Sequence, residues 1–262
     1  IRLPPKPIAK HSRYRHLMPC RYEFPDPRLA DPAGEGLVAV GGDLAPDTLI
    51  CAYRQGIFPW FSEGDPIMWW SPEPRCIIDP HQFSPSKSLK RHLKHSDWII
   101  TLNRDFAAVI QACSEARAYA NDTWINPEMI AAYQVLHQQN IAYSIEVWDN
   151  ENQLIGGLYG LKIGQAFFGE SMFHRRTDAS KVAFFALMRL CAQSGFRWVD
   201  CQLPNAHLLS LGASVVDRDN FLTLLDEQID LPSCDWSSLV GQCLPASTLL
   251  TPTPLPLLGL TQ

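Results

Sequence analysis

Two short stretches carry the residues best suited to chemistry: Gly169-Glu170-Ser171-Met172-Phe173 and Val199-Asp200-Cys201-Gln202, each at the end of a predicted strand. Asp200 and Gln202 stand two apart, so an extended chain sends both side chains to one face. A carboxylate among Phe and Met needs a partner or it takes up a proton. Glu170 and Asp200 are therefore either working groups of one site or acids that satisfy backbone or arginine donors such as Arg175 and Arg176. Other chemistries find less support. The eight histidines form no H-E-x-x-H pair, no G-x-S-x-G elbow is present, and Ser171 has no histidine base in its surroundings. Cys20, Cys51, Cys76, Cys113, Cys191, Cys201, Cys234 and Cys243 never form a C-x-x-C pair, so they read as reduced thiols. No metal is expected.

Aromatic and basic residues suggest a ligand. Trp60, Trp69 and Trp70 fall within eleven residues; Trp60 lies in a Pro-punctuated turn and Trp124 follows Asn121-Asp122-Thr123. In such loops an indole is either core or a platform on which a nucleic-acid base stacks. A net charge of −5 and a pI near 5.9 exclude a generally basic nucleic-acid binder, so RNA contact would need a local patch. Two patches exist. The first runs from Ile1 to Tyr22, with six Lys or Arg and no acid; the second, Ser84 to His95, carries Lys87, Lys90, Arg91 and Lys94.

Placing these residues requires an α+β chain. Residues 1–23 form a basic arm, leading through Pro-rich turns to a strand at Leu37–Val40 and a helix from Pro46 to Gln55 ended by Gly56. The spacing of Leu89 and Leu93 predicts a helix over Pro85–Lys94 with its basic residues outward. From Ala142 the pattern becomes a meander of three strands, 142–149, 153–161 and 165–172, with turns at Asp149-Asn150 and Lys162-Ile163-Gly164. An apolar helix over Ala179–Gln193, a strand over Arg197–Gln202, and helices over Asn205–Leu211 and Asp217–Gln228 follow. Residues 244–262, rich in Pro, Thr and Leu without period, read as a poorly ordered tail. No apolar run reaches membrane-spanning length and nothing resembles a signal peptide, so a cytoplasmic location without membrane attachment is expected.

Ordered motifs from Phe24 to about residue 230 carry a resemblance. They include Gly36-Leu37-Val38-Ala39-Val40-Gly41-Gly42-Asp43, Tyr53-Arg54-Gln55-Gly56-Ile57-Phe58-Pro59-Trp60-Phe61, Trp69-Trp70-Ser71-Pro72, Gly169-Glu170-Ser171-Met172-Phe173 and Asp200-Cys201-Gln202. With these the chain resembles the leucyl/phenylalanyl-tRNA–protein transferases of bacteria. The resemblance implies a small N-terminal domain over 24–80 and, over 81–243, a domain similar to the GCN5-related acyltransferases with a central, mostly antiparallel sheet. It implies transfer of leucine or phenylalanine, with methionine a candidate third donor, from aminoacyl-tRNA to proteins beginning with Arg or Lys, marking them for N-end-rule degradation. A monomer with no cofactor is implied, since aminoacyl esters are already activated. An acetyl-CoA-dependent acetyltransferase would need a phosphate cradle, and the stretch His174 to Ala179 contains no glycine.

Roles follow residue by residue. The resemblance gives Asp200 as proton acceptor or polariser, Gln202 as its hydrogen-bonding relay and Glu170 as the carboxylate that draws in the acceptor's cationic first residue. Trp60 and Trp124 would stack on the terminal adenosine. Leu158, Phe167, Met172, Phe184, Leu187 and Val199 would line the aminoacyl pocket, and Lys87, Lys90, Arg91 and Lys94 would grip tRNA phosphates.

Overall fold

The computed structural model describes residues 20–30, 35–115 and 124–255. Most of the basic arm, Asn121-Asp122-Thr123 and the last seven residues of the tail lie outside them. Its strands are β1 (Leu37–Val40), β2 (Phe58–Pro59), β3 (Met68–Trp70), β4 (Arg75–Ile78), β5 (Ile99–Leu102), β6 (Ala142–Trp148), β7 (Leu154–Ile163), β8 (Ala166–His174), β9 (Val199–Gln202), β10 (Ser214–Val216) and β11 (Leu244–Pro245). Its α-helices are α1 (Pro46–Tyr53), α2 (Lys87–His95), α3 (Phe106–Glu115), α4 (Pro127–Gln138), α5 (Ala179–Gln193), α6 (Ala206–Ser210) and α7 (Arg218–Gln228). A three-stranded sheet, β1-β3-β2, sits beside an eight-stranded one ordered β10-β4-β9-β8-β7-β6-β5-β11. The larger sheet is antiparallel except where β8 and β9 run parallel.

Strand β6 is buried at every position, and β7 at all but one, because helices cover both faces of the sheet. One face carries the core that joins α1, α3, α4 and α7 to the small sheet, with Leu49, Tyr53, Val109, Tyr133 and Phe221 within it. The other face carries α5, whose fifteen residues include eleven buried ones, together with Leu89 and Leu93 of α2. α2 starts at Ser86, whose Oγ accepts the Leu89 amide at 3.2 Å, and its four basic residues Lys87, Lys90, Arg91 and Lys94 are exposed as expected.

Two expectations are corrected. Residues 244–255 are not a loose tail: Leu244 and Pro245 extend the sheet beside β5, and Ala246–Leu250 form a 3-10 helix against α2. Arg189 of α5 donates to the carbonyls of Leu249, Thr251 and Thr253 at 2.6, 2.7 and 2.9 Å, and Gln193 exchanges two hydrogen bonds with Leu255. The segment shows no period because side chains of α5, not its own repeat, satisfy its backbone. Nor are all cysteines thiols. Cys20 and Cys51 are joined in a disulfide, their Cα atoms 5.7 Å apart. Arg21 and Tyr22 reach Asp43 at 2.6 and 3.1 Å, which lays the segment along α1 and brings Cys20 to Cys51.

Beneath β5 and β6, Glu146 is fully buried and accepts hydrogen bonds from Thr101 Oγ1 at 2.6 Å and Ser144 Oγ at 2.5 Å. Burial outweighs those bonds and pushes its carboxyl up to about 7. A folded-state pKa above the unfolded value favours the fold while the group is protonated, and that stability is lost as pH rises towards 7. Glu146→Gln should therefore remove as much as ~3 kcal/mol of the stability decline between pH 5 and 8. Urea unfolding of both chains across that range checks this; parallel pH profiles would exclude Glu146 as the source.

Candidate active site

The site grows from the parallel pairing of β8 and β9. Phe167 pairs with Val199 and Phe168 with Asp200, and the pairing stops there. Beyond it the two strands part, and a cavity of about 410 Å³ opens between Gly169–Met172 and Cys201–Asn205. Two bulges aim its polar side chains. In β8, Ser171 pairs with Tyr159 and Gly169 with Gly160, so Glu170 is the extra residue. In β9, Gln202 pairs with Cys76 and Asp200 with Ile77, so Cys201 is the extra one. Bulges re-aim side chains in this way, and Gln202 accordingly holds a φ of 62°.

Glu170 is the centre of the polar end. Its carboxylate accepts from Tyr53 Oη at 2.7 Å, Tyr133 Oη at 3.2 Å and Gln202 Nε2 at 3.0 Å, and the two phenols also contact each other. Burial raises its carboxyl to about 8 against the pull of the Tyr53 hydrogen bond. The same burial, reinforced by Glu170, holds Tyr53 and Tyr133 well above the usual phenol range. Glu170 sits at a pH where it can gain or lose a proton, and the tyrosines stay protonated donors.

Asp200 does not reach the cavity. It is fully buried, and Arg75 takes both its oxygens, Nε on Oδ1 at 2.9 Å and Nη2 on Oδ2 at 2.6 Å. Arg75 is itself buried between the rings of Phe58 and Phe221, 4.9 and 4.4 Å away, and also donates to the Gly56 carbonyl at 3.2 Å. Asp200 Oδ1 accepts the Gln202 amide at 2.9 Å. The ion pair thus braces the bend that presents Gln202, and an acid so enclosed is poorly placed to accept a substrate proton. The partner is Arg75, rather than Arg175 or Arg176, which bind Glu115 and Asp149.

The walls are apolar. Leu158, Met172, Phe184, Leu187 and Val199 line the cavity, as do Trp60 and Trp124. Trp60 is 37% exposed, its ring 5.9 Å from that of Trp70, whose Nε1 donates to the Trp60 carbonyl at 2.7 Å. Phe167 is a correction: it shares a face with its partner Val199 but lies where β8 and β9 are still paired, packs against Trp236 at 5.9 Å and is absent from the wall. Arg75, Tyr53 and Tyr133 were not anticipated. Arg75 had a signal, a lone charge opening the apolar run Cys76-Ile77-Ile78. Tyr53 and Tyr133 had none, for eighty residues separate them and only the packing of α1 on α4 joins them. Among the described residues no three His, Cys, Asp or Glu converge to hold a metal ion.

With this geometry the likenesses to known proteins can be read. Residues 77–226 match the family model described as leucyl/phenylalanyl-tRNA protein transferase, and residues 42–73 match the model for that family's N-terminal domain. The chain is 55% identical over 220 residues to the leucyl/phenylalanyl-tRNA–protein transferase of Psychrobacter arcticus, covering 82% of each chain. It is 51% identical over 209 residues to that of Cellvibrio japonicus, covering 80% of this chain and 88% of the relative. Among solved structures, one titled "Crystal structure of FemX" aligns over 66% of each chain at 10% identity, with a TM-score of 0.42.

Proposed function

This chain belongs to the leucyl/phenylalanyl-tRNA–protein transferase family, aminoacyltransferases that move leucine or phenylalanine from aminoacyl-tRNA to protein N-termini, and we propose that the cavity beside Glu170 is its transfer site. One observation carries the reading: an apolar pocket meets two tryptophans at its rim and a carboxylate with an amide at its polar end. Leu158, Met172, Phe184, Leu187 and Val199 would hold the transferred side chain, and Trp60 and Trp124 the terminal adenosine. Glu170 would receive the cation of an acceptor beginning with Arg or Lys. Gln202 would hydrogen-bond the attacking amine.

No group need keep the proton. Amide formation frees one proton from the amine, and the departing ribose oxygen takes one up, so the reaction is proton-neutral overall. Gln202, which can both donate and accept, suits that exchange better than an acid closed off by Arg75. Asp200 is then a positioning residue.

The parting of β8 from β9 favours the GCN5-related likeness for the larger unit. A division near residue 80 into small and large domains, a monomeric state, a cytoplasmic location and a role in N-end-rule degradation belong to the same proposal. A transfer assay with radiolabelled Leu-tRNA and a protein bearing N-terminal Arg tests it. Incorporation that disappears in Gln202→Ala is expected, and full incorporation in that variant would move the site elsewhere.

The exposed α2 supplies the acceptor-stem contact in this reading. Lys90→Gln/Arg91→Gln should weaken Leu-tRNA binding and flatten the log-affinity against log-salt slope by roughly 0.7 to 0.9 per lost phosphate contact. Filter binding over a salt series measures it. An unchanged slope would leave α2 a solvated face.

A further inference from the structure

In and behind the cavity wall lies a pair of thiols that the proposed transfer does not use. The β9 bulge sets Cys201 and Gln202 together opposite Cys76 of β4. Cys201 lines the cavity and is partly exposed, whereas Cys76 is fully buried behind it. Both side chains pack into the core under α5, and neither belongs to the Cys20–Cys51 disulfide. We propose that Cys76 and Cys201 form an oxidisable dithiol in the wall of the transfer site, closed to a disulfide by hydrogen peroxide that enters through the pocket. The inference rests on the pocket being the transfer site.

The interaction of the two side chains lowers the Cys76 thiol and raises Cys201, so the pair gives up its first proton more readily than a thiol buried alone. That thiolate attacks one peroxide oxygen; the sulfur–oxygen bond forms, the oxygen–oxygen bond breaks, and the leaving hydroxide takes a proton to become water. The second sulfur then attacks the sulfenic sulfur, the sulfur–sulfur bond forms, and a second water leaves. Two thiols are oxidised while one peroxide is reduced to two waters. A sulfur–sulfur bond of about 2.05 Å is far shorter than the closest approach of two unbonded sulfurs, so closure draws β4 and β9 together at the bulge. Gln202, adjacent to Cys201 and already at a φ of 62°, is the residue that must shift.

The test uses the full chain, assayed for Leu transfer before and after hydrogen peroxide, with free thiols alkylated and disulfide-linked peptides mapped by mass spectrometry. Expected are a loss of transfer of at least tenfold, recovery with dithiothreitol, and a peptide linking Cys76 to Cys201. Cys76→Ala should inactivate at least tenfold more slowly. Peroxide-treated wild type with both thiols still alkylatable would overturn the proposal, as would Cys76→Ala inactivating at the wild-type rate. Should that variant not fold, the linked peptide in wild type decides alone. Absence of transfer before oxidation would instead strike the reading of the pocket, and the peptide map would still decide the dithiol.

Discussion

An Asp200→Asn chain is expected to transfer leucine at least ~100-fold more slowly, because a shift of about 1 Å in a positioned group costs that much. It should also lose roughly 3–5 kcal/mol of stability, since breaking a buried pair leaves the Arg75 charge without its partner. Both effects come from enclosure: Asp200 and Arg75 are each fully buried and bound to each other through two hydrogen bonds. A double variant, Arg75→Met/Asp200→Leu, separates the two contributions. Replacing a buried ion pair by apolar groups of similar size is often neutral, and Met can fill the slot between Phe58 and Phe221. Stability should thus return in large part. Transfer should not, because leucine offers the Gln202 amide no oxygen to hold its bend. Chemical unfolding and single-turnover transfer on the same preparations measure both. Transfer restored along with stability would reduce Asp200 to a counter-charge for Arg75, and near-wild-type transfer in Asp200→Asn would remove it from the reaction.

That enclosure was hidden in the sequence, although much around it was not. α5 begins and ends where apolar spacing places it, at Ala179 and Gln193, because an all-round apolar helix has one home, between a sheet and its outer layer. β6, β7 and β8 were legible for a related reason: their turn residues punctuate apolar runs, and both sheet faces bury them. Legibility fails where partners are distant. Arg75 meets Asp200 across 125 residues and Tyr53 meets Tyr133 across 80, and no local pattern encodes either meeting. Nor does a motif show that Glu170 sits on a bulge, although Gly169 beside it leaves only the Asp200 carbonyl within 4 Å of an added Cβ. The motifs named the candidate residues; the strand register told that Asp200 is held by Arg75 and stays out of the cavity lining.

Glu170→Gln should lower transfer to an Arg-initiated acceptor by about 100-fold while leaving a Gln-initiated one less affected, because a neutral amide cannot pair with the incoming guanidinium. The expectation has a pH signature. In the free enzyme burial holds the Glu170 carboxyl up to about 8, so at neutral pH much of it is protonated, and the charged form grows as pH rises. kcat/KM for the Arg acceptor should therefore climb through about pH 8 in the wild type, steeper than the climb from deprotonation of the acceptor's α-amine alone. In Glu170→Gln only the amine's titration remains. Tyr53→Phe removes the donor at 2.7 Å but no charge, so it should keep the preference for Arg over Gln while raising the inflection, because the lost hydrogen bond favoured the carboxylate. The measurement is a pH series of kcat/KM for acceptor peptides differing only in the first residue, run on all three chains. Equal Arg and Gln transfer by the wild type at pH 8.5 would show that Glu170 reads no cation. In that event the tyrosine cage would be holding a structural carboxylate, and the acceptor's first residue would have to be recognised elsewhere along the rim.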